Sequence, residues 1–594
     1  MCGVTGYLGP RAAAPVLLDS LRRLEYRGYD SCGLVVLDDD GIALRRSIEP
    51  LERFRTHILA EDLRGTIGLA HTRWATHGAV DTSNAHPHSS CDGTILAVHN
   101  GVLENGAELR ETLTRQGHRF TSETDSETIP HLVEQSLQDG QTLEEAFASL
   151  PRRLVGSYAI LLVRAGVEAI YALRRDSPLV IGAGEQEYFP ASDIPSFLPL
   201  TSRVVYIAQD EPLAIDRTGI YRLIQDTFEV RREPLERAPV FLDQSVMSLS
   251  KGLFEHYMLK EILEQAQSLE RLIEVPPQIL GEAAALLRNA TSIKLVGAGT
   301  SYHACLFGQH AFGAGAGLDT EACISSEFEF RASLLRPGAV VVALSQSGET
   351  ADTLHAVQAA EQRGAKVIAI TNNEMSSLTQ VADLVIPLRS GPEFAVAATK
   401  SYTSQLAVLL LLDQAVAPQA SSDVRSLWQA RDSILNLTSI TARAHIAELA
   451  HELSVRSHVF LIGRGPHYVT ALEAALKLKE VAGLRAEAFH GGEMKHGPLA
   501  LIEQGTPVVL FYDKAEMTRA EITASELLAR GALVFTVGER RLRGSHLHVH
   551  ADDAGSATAI PQILPLQLLS YEIAKILGKD PDHPRNLAKS VTVM

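Results

Sequence analysis

Short apolar runs, separated by Gly, Asn, Asp and Pro, dominate the chain up to residue 240. Runs such as residues 67–70, 95–98 and 158–163 have the length and punctuation of β-strands, and few long helical patterns lie between them. Residues 235–250 have the composition of a linker, and a helical pattern follows over residues 254–272. The pattern therefore predicts a strand-rich domain, a linker and a helix-rich remainder.

The remainder contains an internal repeat. Three apolar, strand-like runs, each marked by a glycine, recur in the same order at nearly constant spacing. Helical patterns such as residues 351–363 and 520–530 lie between them. Buried strands that alternate with helices are typical of parallel sheets covered on both faces, so the repeat predicts two related α/β domains in tandem. The three glycine pairs are Gly297 and Gly463, Gly338 and Gly505, and Gly364 and Gly531.

Composition narrows the class of protein. With 594 residues, 45% hydrophobic and 21% charged, the chain is typical of a folded globular protein and not of a disordered or fibrous one. Its length corresponds to roughly three to four domains. The net charge of −17, without a basic stripe, argues against a nucleic-acid partner. The longest apolar run, residues 406–412, is too short to span a membrane.

The amino terminus and the cysteines indicate the compartment. No basic region followed by an apolar stretch opens the chain, so we expect no secretory signal and a cytoplasmic location. The cysteines are odd in number and lack metal-ligand spacing, which favours a reducing environment and predicts neither a structural zinc ion nor any other metal. They are Cys2, Cys32, Cys91, Cys305 and Cys323.

Candidate chemistry begins at Cys2. Removal of Met1 would give it a free α-amine beside its thiol, and an α-amine with a pKa of about 7.7–8.0 can act as a base near neutral pH. A thiolate that attacks an amide needs an oxyanion site, which the side chain and backbone N–H of Asn100-Gly101 could supply. Arg73 and Asp125 could pair with the charged groups of an amino acid. Each residue also has an ordinary structural interpretation, as a buried small residue, a turn or a helix cap.

Five stretches of this part carry a family resemblance: residues 1–9, 21–31, 71–78, 99–101 and 122–125. Together they resemble an N-terminal-nucleophile glutamine amidotransferase domain, over nearly all of residues 2–235. The resemblance implies an αββα sandwich in which Cys2 is the nucleophile and Asn100 with Gly101 forms the oxyanion hole. Trp74 would act as a gate. The residues implied around glutamine are Arg73, Thr76, His77 and Asp125.

Two later loops have the composition of a phosphate site. Residues 297–301 and 345–350 each lie between an apolar strand and a helical pattern, and both are rich in hydroxyl groups. Such hydroxyls and a helix amino terminus can cradle phosphate without a charge, although they would equally make a well-capped helix start. No Gly-x-x-x-x-Gly-Lys-Ser/Thr run occurs, which argues against a nucleotide triphosphatase of that type.

Acid–base candidates lie further along the chain. Lys477 and Glu480 are three residues apart and share a helix face, where a surface ion pair is the common outcome. A glutamate can move protons on a sugar, and a histidine such as His496 can open its ring. Lys589 could form a Schiff base with a ketone if the carboxyl-terminal tail, which would usually fray, folds into the site.

The second part also carries a resemblance, in residues 258–262, 326–328, 344–352, 475–480, 495–498 and 584–593. It resembles the two sugar-isomerase domains of the glutamine–fructose-6-phosphate aminotransferase (isomerising) family, also called glucosamine-6-phosphate synthases. The likeness then spans nearly the whole chain. It implies glutamine-dependent amination and isomerisation of fructose-6-phosphate to glucosamine-6-phosphate, with ammonia channelled between two sites, no cofactor and a homodimer.

The same resemblance implies roles and boundaries. Lys589 would form the Schiff base, Glu480 with Lys477 would move the proton between C1 and C2, and His496 of a neighbouring subunit would open the ring. The implied α/β multidomain architecture has an αββα amidotransferase domain (2–240), a linker (241–252), two tandem parallel-sheet sugar-isomerase domains (253–430 and 431–580) and an active-site tail (581–594). The residues implied around the sugar phosphate are Thr300, Ser301, Ser345, Gln346, Ser347, Thr350, Val396 and Ala588.

Departures from the family pattern leave alternatives open. Ala398 stands where a sugar-contacting serine is usual, and His490 begins a His-Gly-Gly stretch in place of Ala-Ala-Gly. A paralogue that aminates or deaminates another keto-sugar phosphate is therefore the main alternative. A sensor without catalysis is disfavoured because the chemical residues are intact, and other amidotransferases are disfavoured because they need a different second half.

Overall fold

The chain forms two compact units, each with its own sheets and core. One unit comprises Met1–Leu249 and Ala588–Met594, and the other comprises Ser250–Leu587. A computed structural model describes residues 2–38, 41–75, 78–225, 229–241, 251, 253–274, 277–374, 376–417 and 424–591. Among these residues no helix is both long and apolar enough to cross a membrane.

The first unit contains two antiparallel sheets. Their spatial orders are β15-β11-β9-β10-β1-β4-β2-β3 and β14-β13-β12-β8-β7-β6-β5. The strands are β1 (Gly3–Leu8), β2 (Ser31–Asp38), β3 (Gly41–Ser47), β4 (Ile67–Arg73), β5 (His88–Ser89), β6 (Ile95–Leu103), β7 (Gly156–Arg164), β8 (Ala169–Arg175), β9 (Val180–Ala183), β10 (Tyr188–Ala191), β11 (Arg203–Tyr206), β12 (Leu213–Asp216), β13 (Gly219–Gln225), β14 (Val230–Pro234) and β15 (Val240–Phe241).

Helices cover the outer faces of both sheets. The inner faces pack on each other through residues such as Leu69 and Leu161. Helices α1 and α2 cover the first sheet, and α4 and α5 cover the second. The architecture is therefore the αββα sandwich that the resemblance implies. The helices are α1 (Ala13–Leu24), α2 (Leu51–Leu59), α3 (Gly106–Arg115), α4 (Thr128–Gln138) and α5 (Leu143–Arg153).

Strand β7 shows why the apolar runs of this unit are continuous. Tyr158 and Ile160 face the helices, whereas Ala159 and Leu161 face the other sheet, and all four are fully buried. A strand that is buried on both faces loses the polar alternation of a half-exposed strand. The run 158–163 is therefore apolar throughout.

The second unit contains two five-stranded parallel sheets with the same topology. Their orders are β17-β16-β18-β19-β20 and β22-β21-β23-β24-β25, so each half has the order 2-1-3-4-5. The three recurring glycine-marked runs are the equivalent strands β16 and β21, β18 and β23, and β19 and β24, which confirms the repeat. The strands are β16 (Ile293–Gly297), β17 (Thr320–Ile324), β18 (Val340–Ser345), β19 (Lys366–Thr371), β20 (Leu384–Pro387), β21 (His458–Gly463), β22 (Arg485–His490), β23 (Pro507–Phe511), β24 (Leu533–Gly538) and β25 (Leu547–His550).

One hydrophobic core joins the two halves of this unit. It includes Leu295 and Leu461 from the two sheets and Leu409 and Leu568 from the helices between them. The predicted helix over residues 254–272 is two helices, α6 and α7, which meet at Glu264. The helices are α6 (Tyr257–Leu263), α7 (Gln265–Ile273), α8 (Pro277–Arg288), α9 (Thr300–Ala314), α10 (Glu329–Ala332), α11 (Ala351–Glu361), α12 (Ser377–Val381), α13 (Lys400–Val416), α14 (Val424–Leu437), α15 (Ile440–Ser454), α16 (Pro466–Lys477), α17 (Met517–Leu528) and α18 (Ala559–Ile576).

Candidate active site

Cys2 immediately precedes β1, and the register of the sheet sets its neighbours. Gly3 lies opposite Thr72 on β4, so Cys2 comes beside Arg73 and Trp74. The backbone N–H of Trp74 donates to Cys2 Sγ at 3.1 Å. Burial raises the pKa of the Cys2 thiol, and this hydrogen bond and the charge of Arg73 oppose that rise without cancelling it. The thiol therefore needs a base to become a nucleophile near neutral pH.

Asn100 reaches Cys2 from the facing sheet. Its Nδ2 donates to the carbonyl oxygen of Cys2 at 2.8 Å, and its Oδ1 accepts from His71 Nε2 at 3.1 Å. The histidine thus fixes which end of the amide points toward Cys2, and the amide nitrogen carries a second N–H. Gly101 has φ +131°, and a Cβ there would lie 2.0 Å from the carbonyl oxygen of Ser157. Only glycine fits this position.

Buried histidines support Asn100 and the loop that contains Asp125. His99 Nδ1 lies 2.8 Å from Ser126 Oγ, and His88 Nε2 lies 3.0 Å from Thr124 Oγ1. Burial lowers the pKa of His71 and of His88 to about 3. The imidazoles of His71 and His88 are therefore neutral at pH 7 and contribute hydrogen bonds instead of charge.

Asp125 and Arg73 are held by backbone groups. Asp125 Oδ2 accepts from the N–H of Leu103 at 2.7 Å. The Arg73 guanidinium is buried and donates to the carbonyl oxygens of Gly78 and Ala79, each at 3.1 Å. Thr76 and His77, predicted beside glutamine, lie outside the described residues.

Trp74 packs edge-to-face on Tyr29, with 5.6 Å between ring centroids. Because it directly follows β4, its backbone faces Cys2 while its ring is held by a different segment of the chain. The structure thus brings Cys2, Trp74 and Asn100 together, with Arg73 beside them.

The loop from Ser345 to Thr350 links β18 to α11 in a tight turn of hydroxyl groups. Ser345 Oγ accepts from the N–H of Gly348 at 3.0 Å and lies 3.3 Å from Thr350 Oγ1. Ser347 Oγ accepts from the N–H of Glu349 at 3.1 Å. The carbonyl oxygen of Gln346 accepts from the N–H of Asn372 at 3.2 Å, which ties the loop to the end of β19.

Gly348 makes this turn possible. It has φ +68°, and a Cβ there would lie 2.0 Å from Ser376 Oγ. Thr300 and Ser301 form the first turn of α9, which follows β16. Because β16 and β18 are neighbouring parallel strands, both loops lie at the same edge of the sheet, where ligands bind in such folds.

The loop before α13 is hydrogen-bonded to the segment that follows α18. The N–H of Val396 donates to the carbonyl oxygen of Asp582 at 3.0 Å. The Asp582 carboxylate accepts from the N–H groups of Tyr257 and Met258 at 2.9 and 2.8 Å, at the start of α6. Val396 is thus positioned by the chain that follows α18.

A buried charged cluster lies where α9 meets α16. Lys477 Nζ is 2.7 Å from Glu480 Oε2, 3.3 Å from Glu473 Oε1 and 3.1 Å from Thr300 Oγ1. Glu473 Oε2 also pairs with His303 Nδ1 at 2.7 Å. Burial alone would lower the pKa of Lys477, but the two carboxylates outweigh it and raise that pKa, so the ammonium stays charged.

Sequence reasoning missed Glu473 and His303. Glu473 is four residues before Lys477 and His303 is three residues after Thr300, so helical spacing was an available signal. Glu480 itself lies in a π-helical turn, Leu478–Ala482, which continues α16. Such turns often occur at functional sites, and this one lets Glu480 remain half-buried while Lys477 is fully enclosed.

Comparison with known proteins follows the same division of the chain. The glutamine amidotransferase domain profile matches residues 71–199, and the SIS domain profile matches residues 286–413 and 452–539. The chain is 41%, 39% and 38% identical to the glutamine–fructose-6-phosphate aminotransferases (isomerising) of Methanothermobacter thermautotrophicus, Thermococcus kodakarensis and Thermus thermophilus, over 100% of both chains in each case. The chain belongs to the glutamine–fructose-6-phosphate aminotransferase (isomerising) family.

A solved structure agrees with this membership. The C-terminal domain of glucosamine-fructose-6-phosphate aminotransferase from Francisella tularensis aligns with a TM-score of 0.52 and 30% identity, over 56% of this chain and 99% of that chain. The family likeness therefore extends from the sequence to the fold of the sugar-isomerase unit.

Four further residues named from the sequence lie on other segments of the chain. His496 lies in a 3₁₀ turn, Glu493–His496, and is exposed. His490 stacks on Tyr468, with 3.4 Å between ring centroids. Ala588 and Lys589 belong to the first unit, and their place at the sugar site stays a prediction.

The two halves of the second unit differ at the edge of the sheet where the strands end. A cavity of about 380 Å³ there is lined by Arg464, His467, Asp513 and Glu516, among others. Two carboxylates thus follow β23, where the first half has the hydroxyl groups of residues 345–350 after β18. We call residues 345–350 the hydroxyl loop.

Proposed function

We propose that this chain transfers the amide nitrogen of glutamine to fructose-6-phosphate and isomerises the product to glucosamine-6-phosphate, releasing glutamate. The observation that carries the proposal is the presence, in one chain, of a Cys2 thiol beside the Asn100 amide and of a buried Lys477–Glu480 pair in a separate sugar-isomerase unit. Its full-length relatives carry the corresponding name.

The glutaminase half begins when removal of Met1 frees the α-amine of Cys2. This amine takes the thiol proton, and the thiolate attacks the glutamine amide carbon. Asn100 and Gly101 stabilise the oxyanion, because a second N–H on Asn100 Nδ2 and the Gly101 N–H can reach it. The C–N bond breaks, ammonia leaves with the proton, and water hydrolyses the thioester to glutamate and the free thiol.

Charge complementarity would hold glutamine in place. Arg73 is a buried cation and suits the α-carboxylate, and Asp125 suits the α-ammonium. Thr76 and His77 complete this set as predictions from the family, and Trp74 is the predicted gate over the site.

The sugar half uses the hydroxyl loop for the phosphate. An uncharged cradle would donate hydrogen bonds to the phosphate oxygens. It would consist of Thr300, Ser301, Ser345, Gln346, Ser347 and Thr350. Val396 and Ala588 would line the sugar. Ring opening by His496 of a partner subunit requires a homodimer, and the exposed position of His496 suits such a contribution.

The isomerisation needs a carboxylate that can move a proton between C1 and C2 of the sugar. Lys589 would form a Schiff base with C2 of the open-chain ketose and release water. Ammonia from the glutaminase half, delivered through an internal channel, would then attack C2 and displace the Lys589 amine. Glu480 would then move one proton between C1 and C2, while Lys477 stabilises the charge that develops. We place this chemistry in the cytoplasm, with no cofactor.

A second candidate function rests on Ala398. The missing hydroxyl could remove about 0.5–1.5 kcal/mol of sugar binding, or mark a different keto-sugar phosphate. The reaction type would be the same, and only the acceptor sugar, or the direction of amination, would change.

Mass spectrometry of the full chain with fructose-6-phosphate and amide-¹⁵N glutamine tests the proposal. We expect heavy glucosamine-6-phosphate, lost in Cys2→Ala and in Lys589→Ala. Glutamate release without any amino sugar would reject fructose-6-phosphate as the acceptor and favour the second candidate. No glutamate release from protein that lacks Met1 would overturn the amidotransferase mechanism.

A further inference from the structure

A second cluster of ligand-type side chains lies in the first unit, away from the residues assigned to catalysis. Cys91 follows β5, His118 follows α3, and His131 and Glu134 lie on α4. One atom from each, Sγ, two imidazole nitrogens and a carboxylate oxygen, lies within 4.8 Å of all the others. The described residues offer no other group of this kind.

The distances between these atoms match a four-coordinate site. Cys91 Sγ lies 3.6 Å from both His118 Nδ1 and His131 Nδ1. Glu134 Oε2 lies 3.0 Å from His118 Nδ1 and 3.3 Å from His131 Nδ1. A tetrahedral zinc ion with bonds of about 2.0–2.1 Å to N and O and about 2.3 Å to S separates its S and N ligands by about 3.6 Å and its N and O ligands by about 3.3 Å.

Partners on the outer ring nitrogens orient the two imidazoles. His118 Nε2 lies 3.0 Å from Gln135 Oε1. His131 Nε2 faces the carboxylate of Glu127 at 3.8 Å. Both rings turn Nδ1 toward Cys91 and Glu134, and metal-binding histidines are commonly oriented by outer partners of this kind.

Backbone groups hold the other two ligands. The N–H groups of Cys91 and Asp92 donate to the two oxygens of Glu134 at 3.0 and 3.1 Å. The N–H of Arg119 donates to Cys91 Sγ at 3.3 Å, a contact that stabilises a thiolate. A thiolate and a carboxylate together balance the charge of a divalent cation. Cys91 is exposed, whereas the other three ligands are buried, so an ion can enter from that side.

We propose that Cys91, His118, His131 and Glu134 bind one Zn²⁺ ion in a closed, structural site. All four positions are filled by the protein, which leaves no open position for a substrate. The site contains a single cysteine and its ligands are far apart in the sequence, which explains why the number and spacing of the cysteines predicted no metal.

The position of the site indicates what the ion does. The ion would join the turn before β6 to helix α4. Strand β6 carries Asn100, and α4 follows the loop that contains Asp125. Glu127, next to His131, accepts from the N–H groups of Thr121 and Ser122 at 2.8 and 2.7 Å. The ion would therefore stabilise the segments that position the oxyanion and glutamine-binding residues, without taking part in the reaction.

Elemental analysis of the full chain, loaded with Zn²⁺ and passed through gel filtration, tests the site. We expect about one zinc ion per chain for the wild type and less than about a tenth of that for Cys91→Ser, whose position is exposed. Loss of the outer partner in Gln135→Leu should weaken zinc binding by about 10–100-fold in a chelator competition. Cys323→Ser and His57→Asn are matched controls that remove a thiol and an imidazole elsewhere, and they should bind zinc like the wild type.

Cobalt substitution gives an independent readout. The wild type loaded with Co²⁺ should show the visible absorption of a tetrahedral site and a thiolate-to-cobalt charge-transfer band, and Cys91→Ser should lose both while its circular dichroism is unchanged. Wild-type protein that keeps less than about a tenth of an ion per chain would overturn the proposal. So would equal zinc binding by the wild type, Cys91→Ser and Glu134→Gln, and the cluster would then be a histidine–carboxylate hydrogen-bond network.

Discussion

The ammonium of Lys477 lies 2.7 Å from the carboxylate of Glu480, yet the Lys477 side chain is fully buried and that of Glu480 is 22% exposed. On its other side the same ammonium meets the fully buried carboxylate of Glu473 at 3.3 Å. Of the three charged groups only Glu480 is partly exposed, so Glu480 is the one that a ligand can reach.

Removal of the central charge should destabilise the fold. Lys477→Met removes the ammonium and leaves Glu473 buried with His303 as its charged-type partner, and breaking such a buried pair costs about 3–5 kcal/mol of unfolding free energy. Urea denaturation measures this loss. Lys479→Met is the matched control, because Lys479 is exposed on the next turn and its loss should change stability by less than about 0.5 kcal/mol. Equal stability of the two variants would contradict the structural role of the cluster.

The hydroxyl loop should not tolerate a side chain at position 348. In Gly348→Ala the new Cβ would meet Ser376 Oγ, so we expect weaker sugar-phosphate binding, seen as a raised KM or Kd. Gly364→Ala controls for backbone strain, because Gly364 has φ +73° but open space around its Cβ, and it should cost only about 1–2 kcal/mol of stability. If both variants bind the sugar phosphate like the wild type, this loop is not the phosphate site.

The oxyanion position should be equally sensitive. Gly101→Ala forces a Cβ against the carbonyl oxygen of Ser157 and displaces the neighbouring N–H, so glutamine hydrolysis should fall by about 10²–10³-fold in kcat. Glutamate release with glutamine alone measures this. Gly166→Ala, at a positive φ with open space around it, should keep the wild-type kcat. A full rate in Gly101→Ala would remove this residue from the mechanism.

Acid should destabilise the first unit through its buried histidines. The folded pKa of His88 is about 3, below the ordinary value of 6.5, so between these values the unfolded chain binds the extra proton. The contribution of His88 to the free energy of unfolding is therefore fully present above pH 6.5. It falls by about 1.4 kcal/mol for each pH unit below 6.5. Denaturation between pH 7.5 and 5 should show a shallower slope in His88→Gln than in the wild type or in His57→Gln, whose imidazole is exposed. Identical slopes in all three proteins would refute this account.

Restoring a hydroxyl should reveal the acceptor sugar. If fructose-6-phosphate binds beside Ala398, the Ala398→Ser variant gains a hydrogen bond of about 0.5–1.5 kcal/mol, which corresponds to a two- to tenfold lower KM. Steady-state kinetics with saturating glutamine measures it, and Ala359→Ser, on helix α11, is the control. An unchanged or higher KM would indicate that the loop has been shaped for a different sugar.

The pattern of the sequence predicted some of the strands, among them β4, β6 and β7 in the first unit and the three repeated pairs in the second. Strand β4 was expected over residues 67–70 and extends to Arg73, because buried hydrogen bonds satisfy polar side chains such as His71. The helical layers of the first unit were implied by the family resemblance, as part of an αββα sandwich, and not by periodicity. In the second unit the repeat could be recognised in the sequence because its parallel strands are apolar on both faces.

The candidate site was predictable where a motif held its residues close in sequence. Lys477 and Glu480 share one helix, whereas their partner His303 lies on α9, and only the packing of the two halves brings it near. The zinc ligands likewise come from three separate segments between Cys91 and Glu134. Contacts between distant segments depend on tertiary packing, which local pattern does not encode.

The shared core of the sugar unit has a consequence for its history and its folding. The two halves carry the same strand order, as expected of an ancient duplication, yet Leu409 and Leu568 belong to one cluster with both sheets. A copy expressed alone would expose these side chains to water and would aggregate or pair with another chain. The duplicated halves have thus become mutually dependent, and we expect them to unfold in a single cooperative transition.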